Sequence, residues 1–131
     1  MSESEIIDAI LEPLDEENWE CIYDMGINHI YPSGMTALGL AIYYDQEANA
    51  DFLLKKGADP NIFGKEANSP LYDAYISHSP RLFILLLMYG ANPKLGRDED
   101  RYPKRIMMDI GSVDFLDTLF SFYQSTRTTG K

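Results

Sequence analysis

The sequence is poor in the residue types that build metal sites and covalent cross-links. Among its 131 residues it has one cysteine, Cys21, and two histidines, His29 and His78. A single cysteine cannot form an internal disulfide or a cysteine-based zinc site. Two histidines make a histidine-rich metal site unexpected as well. We therefore expect no metal and no cofactor.

Long apolar runs and a positively charged start are also missing. The longest unbroken apolar run, Leu82–Met88, has seven residues, whereas a membrane-spanning helix needs roughly 20. The first five residues, Met1–Glu5, are acidic and lack the basic start that is typical of a signal peptide. These two features lead us to expect a soluble, cytoplasmic protein that does not bind membranes.

Basic residues are scarce relative to acidic ones. The chain has 11 lysines and arginines against 21 aspartates and glutamates, which gives a net charge of −10. Such a charge repels nucleic acid phosphates and attracts basic partners. We therefore expect a basic protein surface as the partner and no nucleic acid. The length allows one domain.

Several short motifs recur with one 33-residue period. Lys56–Asn61 and Tyr89–Lys94 share a Gly-Ala-Asx-Pro core, and further pairs fall at the same spacing. These pairs are Thr36-Ala37-Leu38 with Ser69-Pro70-Leu71, Ala41 with Ala74, and Leu53-Leu54 with Leu86-Leu87. A fixed period of this length is the mark of a repeat architecture, in which each unit stacks on the next.

Each unit is predicted to be a pair of helices. In the first unit we expect helices over Thr36–Tyr44 and Glu47–Lys56, with Asp45 as the N-cap of the second helix. Gly57 should end this second helix, because a left-handed backbone is least costly for glycine.

The second unit repeats this plan. Ser69–Ser77 is predicted to be its first helix, and Ser79 should cap the next one, with Pro80 at the first helical position. Gly90 should end that helix in a left-handed conformation, as Gly57 does one repeat earlier.

On these motifs, the sequence resembles the ankyrin repeat family. Its helix start, inner alanine, Leu-Leu pair and Gly-Ala-Asp turn appear here as Thr36–Ala41, Leu53-Leu54 and Gly57–Asn61. The family histidine is replaced by Gly39 and Tyr72. The resemblance implies an all-α ankyrin-repeat solenoid of helix-turn-helix units, with two good repeats between two degenerate capping repeats.

The same resemblance divides the chain. We expect a single domain over residues 1–125, with an N-terminal cap at 1–30, repeats at 33–65 and 66–98, and a C-terminal cap at 99–125. Residues 126–131 are expected to form a frayed tail. The acidic residues of the front cap should be exposed, because no neighbouring repeat covers its outer face.

Family resemblance also implies a partner-binding face, built from the outward positions of the first helices and from the loop tips. Tyr43 and Tyr44 stand out, because a tyrosine ring buries much area while its hydroxyl still forms hydrogen bonds. One of the two rings could instead pack on a neighbouring repeat. The other residues expected on this face are Met35, Asn68, Ile76, Ser77, Asp98, Glu99, Arg101, Asp109 and Ile110.

A second surface is predicted on the second helix of the second repeat. Ile84 and Met88 are apolar beyond what the family pattern requires, and they stand four residues apart, so they share one side of the helix. They are either scattered surface residues or a patch for self-association. We therefore expect a monomer or a weak homodimer.

No arrangement of nucleophile, base and orienting group is evident in the sequence. Cys21 is interpreted as a packed hydrophobe, and His29 and His78 as turn residues. We therefore expect a non-catalytic module for protein–protein interaction. Its small size and acidity resemble immunity proteins that neutralise a basic cognate toxin. The alternatives are an adaptor or host-directed factor and, remotely, an enzyme with a site around Cys21 or His78.

Overall fold

The computed structural model describes residues 2–65, 67–77, 79–92 and 95. These residues form six helices and no strands, so the all-α prediction is confirmed. The helices are α1 (Glu3–Ile10), α2 (Glu20–Met25), α3 (Ala37–Tyr43), α4 (Glu47–Lys55), α5 (Pro70–Ile76) and α6 (Pro80–Met88).

The helices stack in two layers. Within each repeat α3 packs on α4 and α5 packs on α6, while α3 also lies between α1 and α5, and α4 contacts α6. The inner layer therefore consists of α1, α3 and α5, and α4 and α6 belong to the outer layer. This stacking of helix pairs is the arrangement that the repeat period predicts.

Hydroxyl side chains at corresponding positions start the inner helices. Thr36 Oγ1 accepts a hydrogen bond from the Gly39 amide at 3.1 Å, and Ser69 Oγ accepts one from the Tyr72 amide at the same distance. In the outer layer, Ser79 Oγ accepts from the Leu82 amide at 3.4 Å, as predicted. Each bond satisfies an amide that the helix leaves unpaired.

The corner between α3 and α4 differs from the prediction. Asp45 is not the N-cap of α4: Gln46 holds that position, without a side-chain capping bond. Asp45 instead adopts a left-handed backbone with φ of 56°. Aspartate is among the few non-glycine residues that tolerate this conformation, so Asp45 can turn the chain at this corner.

The two glycines at the ends of the outer helices behave as predicted. Gly57 follows the C-cap residue of α4 with φ of 103°, and Gly90 follows that of α6 with φ of 91°. Both conformations lie in the region that favours glycine. This observation confirms the repeat register over the two central repeats.

Small residues lie where the inner helices meet. Ala41 and Ala74 are both fully buried, as the stacking prediction requires. Larger apolar side chains fill the space between the layers, and those most fully buried include Leu38, Ile42, Leu53, Leu71, Leu82, Phe83 and Leu86. The core is therefore continuous from one repeat to the next.

Asparagine side chains link the turns of successive repeats. Asn28 Oδ1 accepts a hydrogen bond from the Asp59 amide at 2.9 Å. One period later, Asn61 Oδ1 accepts one from the Asn92 amide at 2.8 Å. The two donors are one period apart, and so are the two acceptors, which means that the same bond recurs at both junctions. The first of these bonds places Asn28 in the position that Asn61 occupies one repeat later.

A buried amide attaches the front of the chain to the first complete repeat. Asn49 in α4 is 4% exposed. Its Nδ2 donates to the carbonyl oxygens of Ile10 at 2.6 Å and Glu12 at 2.8 Å, and its Oδ1 accepts from the Leu14 amide at 2.8 Å. The Ile10 carbonyl belongs to the last residue of α1, where backbone carbonyls have no partner within the helix, and the other two groups follow the helix.

The acidic front cap is exposed as predicted, with one exception. Glu3 is half-buried, and its Oε1 accepts a hydrogen bond from the Ser33 amide at 3.3 Å. The predicted C-terminal cap at residues 99–125 and the tail at 126–131 lie outside the described residues. The proposed domain limits therefore stay a prediction.

Candidate functional site

The inner helix α3 ends in two exposed tyrosines. The first six residues of the helix, Ala37–Ile42, are all buried, and Tyr43 and Tyr44 follow them at its exposed end. Tyr43 is 58% exposed and Tyr44 38% exposed. Neither ring is therefore buried against a neighbouring repeat in the described structure.

The two tyrosine rings pack on each other. Their centroids are 5.2 Å apart and their planes are inclined by 83°, which is an edge-to-face contact. This contact restricts the side-chain rotations of both rings before any partner arrives. A surface that is ordered in advance loses less conformational entropy on binding.

Exposed apolar residues occupy equivalent positions on the neighbouring inner helices. Ile76, at the end of α5, is 47% exposed and lies one period after Tyr43. Leu11, at the end of α1, is 46% exposed and lies one period before Tyr44. We call Leu11, Tyr43, Tyr44 and Ile76 the inner-helix row. Ser77 is exposed beside Ile76.

Leu11 was not among the predicted contact residues, although the sequence contained a signal for it. The repeat period places Leu11 in register with Tyr44, but the front repeat lacks the helix-start motif by which the other repeats were aligned. Met35, which was predicted as a contact residue, is half-buried and packs against the core.

Asn68, another predicted contact residue, interacts with the interior. Its Nδ2 donates to Asp73 Oδ1 at 3.3 Å, and Asp73 is only 6% exposed. Burial raises the pKa of the Asp73 carboxyl from 3.8 to about 6, and the hydrogen bond from Asn68 opposes this shift. The Asn68 amide nitrogen is thus engaged within the fold.

The remaining predicted partner-binding residues cannot be placed. Asp98, Glu99, Arg101, Asp109 and Ile110 lie outside the described residues. The same is true of His78, one of the two residues considered for the remote enzyme alternative.

The second predicted surface is only half exposed. Met88 on α6 is 56% exposed, whereas Ile84 is half-buried and packs against the core. The residues one period earlier, Asp51 and Lys55, form a salt bridge of 2.8 Å. Ile84 and Met88 share one side of α6, as helix periodicity predicted. This side is partly covered by the core at Ile84 and is exposed only at Met88.

Cys21 and His29 lie in separate environments. Cys21 is half-buried, with its Sγ 3.5 Å from the Asn18 carbonyl oxygen. His29 is exposed, and its ring makes an edge contact with Tyr31 at a centroid distance of 4.7 Å. These contacts agree with the interpretation of Cys21 as a packed side chain and His29 as a turn residue.

The part of the chain that the structure describes has neither a cluster of metal-ligating side chains nor a membrane-spanning helix. No group of three or more histidine, cysteine, aspartate or glutamate side chains in the described ranges is placed to hold a metal ion. None of the helices described has both the length and the apolar character needed to cross a membrane.

An aromatic cluster on the outer side was not foreseen. Trp19 contacts Tyr23 at a centroid distance of 5.4 Å and Phe52 at 5.9 Å, and the Lys56 ammonium lies 5.4 Å from the rings of Trp19 and Phe52. The pairs Trp19–Tyr23 and Phe52–Lys56 each have a spacing of four, which places their members on one helix side. Trp19 and Phe52 stand one 33-residue period apart, as do Tyr23 and Lys56, so the repeat period contained a signal for this cluster.

Known proteins support the architecture. The sequence model of the ankyrin repeat matches residues 33–65. A protein of Rickettsia felis that is named as a putative ankyrin repeat protein is 36% identical over 67 residues, covering 47% of this chain and 30% of that protein. Human BCL-6 corepressor-like protein 1 is 29% identical over 99 residues, covering 76% of this chain and 5% of that protein.

The chain thus spans less than a third of the length of either relative. The matched residues contain α3 and α4, which pack together. This helix pair lies between Gly26 and Gly57, the glycines of positive φ that follow α2 and α4. Residues 33–65 therefore match an ankyrin repeat, and the six described helices are consistent with a helical solenoid of such repeats.

Proposed function

We propose that this chain is a protein-binding module and that the inner-helix row makes the central contact with its partner. Ankyrin repeats in general bind other proteins and are not catalysts. The observation that carries the proposal is the exposed, mutually packed pair Tyr43 and Tyr44 at the end of an inner helix. Aromatic anchors of this kind dominate the energetics of many protein interfaces.

The spacing of the row suits an extended contact. Packed helices lie about 8–10 Å apart, so the ends of α1, α3 and α5 span roughly 20 Å. Leu11, the tyrosine pair and Ile76 would then contact successive parts of one partner surface. A hydrophobic centre of this length is typical of a specific interface rather than of a scattered surface residue.

Charge around the row favours a basic partner. Glu12 directly follows Leu11, and Asp45 and Glu47 follow Tyr44, and all three acids are exposed. The whole chain carries a net charge of −10. Acidic groups at the edge of an apolar contact accelerate the capture of a basic surface and disfavour acidic competitors.

The finer form of the proposal is an inhibitor that neutralises a basic toxin, as an immunity protein does. A small acidic surface with rigid aromatic anchors suits the covering of a basic active site. An adaptor or a host-directed factor is the alternative, in which the partner stays active. An equimolar amount of this chain should abolish the partner's activity in the first case and leave it intact in the second.

Site-specific photo-crosslinking tests the proposed surface. A benzoylphenylalanine placed at Tyr43 should give one specific adduct in the cells that express the protein, since this position would lie inside the interface. The same residue placed at Met88, which has a similar exposure of 56%, serves as the control. A specific adduct of Met88 with a protein other than a second copy of this chain, and none from Tyr43, would move the binding site to the outer helices.

Met88 also supports a second proposal, which is self-association through α6. Its exposure favours the idea, but half-buried Ile84 leaves only a small apolar patch among the residues described. Sedimentation at increasing protein concentration tests this proposal. A weak dimer should dissociate when Met88→Lys is introduced, whereas an unchanged sedimentation profile would reject the patch.

A further inference from the structure

A shallow cleft lies on the outer side of the front cap, away from the inner-helix row. Its volume is about 440 Å³, and it is lined by Glu16, Glu17, Trp19, Glu20 and Tyr23. Three carboxylates thus surround two aromatic rings. Tyr23 is 64% exposed, so its ring is accessible to a molecule that arrives from solution.

The rings of this cleft are held in place by the fold. Trp19 is half-buried and contacts both Tyr23 and Phe52, with interplanar angles of 66° and 73°. Phe52 belongs to α4 and is half-buried as well. The face of Trp19 is therefore supported by a neighbouring helix and does not have to be ordered by a ligand.

An ammonium group already lies against this aromatic cluster. Lys56 Nζ is 5.4 Å from the centroids of both Trp19 and Phe52, and it donates to Glu16 Oε2 at 2.6 Å. The distances fall within the range of a cation–π interaction. The chain itself thus shows that the combination of these rings with a nearby carboxylate attracts a lysine side chain.

The cleft has more carboxylates than there are cations to neutralise them. Lys56 pairs with Glu16, whereas no ion pair among the described residues involves Glu17 or Glu20. Lys56 is not among the residues that line the cleft. The open side therefore presents two further carboxylates next to the Trp19 and Tyr23 rings, which is the chemistry that recognises a second cation.

We propose that this cleft binds a lysine side chain of a partner protein, with its ammonium against Trp19 and Tyr23 and within reach of Glu17 and Glu20. The site is separate from the inner-helix row, and its existence does not depend on that row. It would give the protein a second point of attachment to a basic partner, on the outer side of the front cap.

The probe for this site is a capped Gly-Lys-Gly peptide, and its uncharged twin is the same peptide with norleucine. Trp19 is the only tryptophan in the chain, so its indole N–H signal in NMR reports the site without ambiguity. At low salt the lysine peptide should shift this signal in a saturable manner, and the norleucine peptide should bind at least about tenfold more weakly. Equal binding of both peptides would overturn the proposal.

Two variants separate recognition from general attraction between charges. Lys56→Met releases Glu16 and one side of the aromatic cluster, so the lysine peptide should bind about threefold more tightly. Lys55→Met changes the net charge equally, but Lys55 pairs with Asp51 away from the cleft. The affinity of the Lys55→Met variant for the lysine peptide should therefore stay unchanged. The same gain in both variants would show that only the net charge acts.

Ring and carboxylate variants complete the test. Tyr23→Leu removes a largely exposed ring, so the fold should persist while affinity falls at least threefold. Glu17→Gln with Glu20→Gln should have a similar effect, and unchanged affinity in either variant would refute the assigned cleft. Replacing Tyr43 and Tyr44 by alanine should not alter peptide binding, so this result stands or falls independently of the inner-helix row.

Discussion

The buried side chain of Asn49 offers the sharpest test of how the front cap is attached. Its amide makes three hydrogen bonds with backbone groups of Ile10, Glu12 and Leu14, at 2.6 to 2.8 Å. One period later the same position is Leu82, which is fully buried in the core. The Asn49→Leu substitution therefore inserts the side chain of the next repeat and removes all three bonds.

The expected cost follows from the number of bonds. A buried hydrogen bond contributes about 1 kcal/mol net, and leaving its backbone partner unsatisfied costs about 1–3 kcal/mol. Three bonds, with the loss partly compensated by the apolar leucine, give an expected destabilisation of about 3 kcal/mol. With a urea dependence of about 2 kcal/mol per molar, the unfolding midpoint should fall by about 1.5 M.

Asn49→Asp keeps the oxygen that accepts a hydrogen bond and replaces the NH2 group that donates the other two. Aspartate still accepts a bond from the Leu14 amide, but at neutral pH its carboxylate faces the carbonyl oxygens of Ile10 and Glu12. A buried charge next to two acceptors is more costly than a lost bond. The aspartate variant should therefore be less stable than the leucine variant at pH 7, and it should recover stability on acidification.

Urea unfolding followed by both Trp19 fluorescence and far-ultraviolet circular dichroism measures these changes. The matched control is Gln46→Ala at the start of the same helix, because the Gln46 side-chain Nε2 donates a single exposed hydrogen bond to the Tyr44 carbonyl oxygen at 3.2 Å. This control should cost less than about 0.5 kcal/mol. If Asn49→Leu lowered the unfolding free energy by no more than this control does, the role assigned to the buried amide would be refuted.

Three further outcomes are expected. Gly57→Ala and Gly90→Ala should each lower the unfolding free energy by about 1 kcal/mol in urea titrations, because both have positive φ and no atom within 4 Å of an added Cβ; unchanged stability would reject backbone strain. The raised pKa of Asp73 means that the folded state binds more protons between pH 3.8 and about 6. Stability should therefore fall by up to about 3 kcal/mol across that window as pH rises, and Asp73→Asn should remove the slope; a slope that persists in the variant would assign it to other groups. Association with a basic partner should slow at least about tenfold from low to high salt, and a salt-independent rate, measured by stopped flow, would leave the net charge without a role in capture.

The sequence predicted the central part of the fold because its signals are local and repeated. Gly57 and Gly90 and the buried alanines recur in register, and each has one physical role that the structure confirms. Thr36 and Ser69, predicted as the first residues of their helices, recur in register as the N-caps. Asp45 was misassigned because aspartate suits both an N-cap and a left-handed corner. Only the path of the chain decides between these roles.

The features that escaped prediction depend on contacts between distant segments. Asn49 bonds with residues 35 to 39 positions away, and Trp19 meets Phe52 only because the front cap folds over α4. The Asn49 bonds do not follow the repeat period, so no repeat pattern pointed to them. Trp19 and Phe52 do stand one 33-residue period apart, but the front repeat lacks the helix-start motif by which the other repeats were aligned. The exposure of Tyr43 and Tyr44 agrees with what the family resemblance implied. Helix periodicity alone does not predict it, because Tyr44 stands three residues after the buried Ala41.

The affinity of the purified partner for a Tyr43→Ala and Tyr44→Ala double variant tests the central claim most directly. Because both rings are exposed in the free protein, the variant should keep its fold while binding weakens by about 2 kcal/mol or more, roughly thirtyfold. Met88→Lys, on the exposed side of α6, should bind like the unmodified chain. Undiminished binding by the double variant, together with a loss in Met88→Lys, would contradict the assignment of the partner to the inner-helix row.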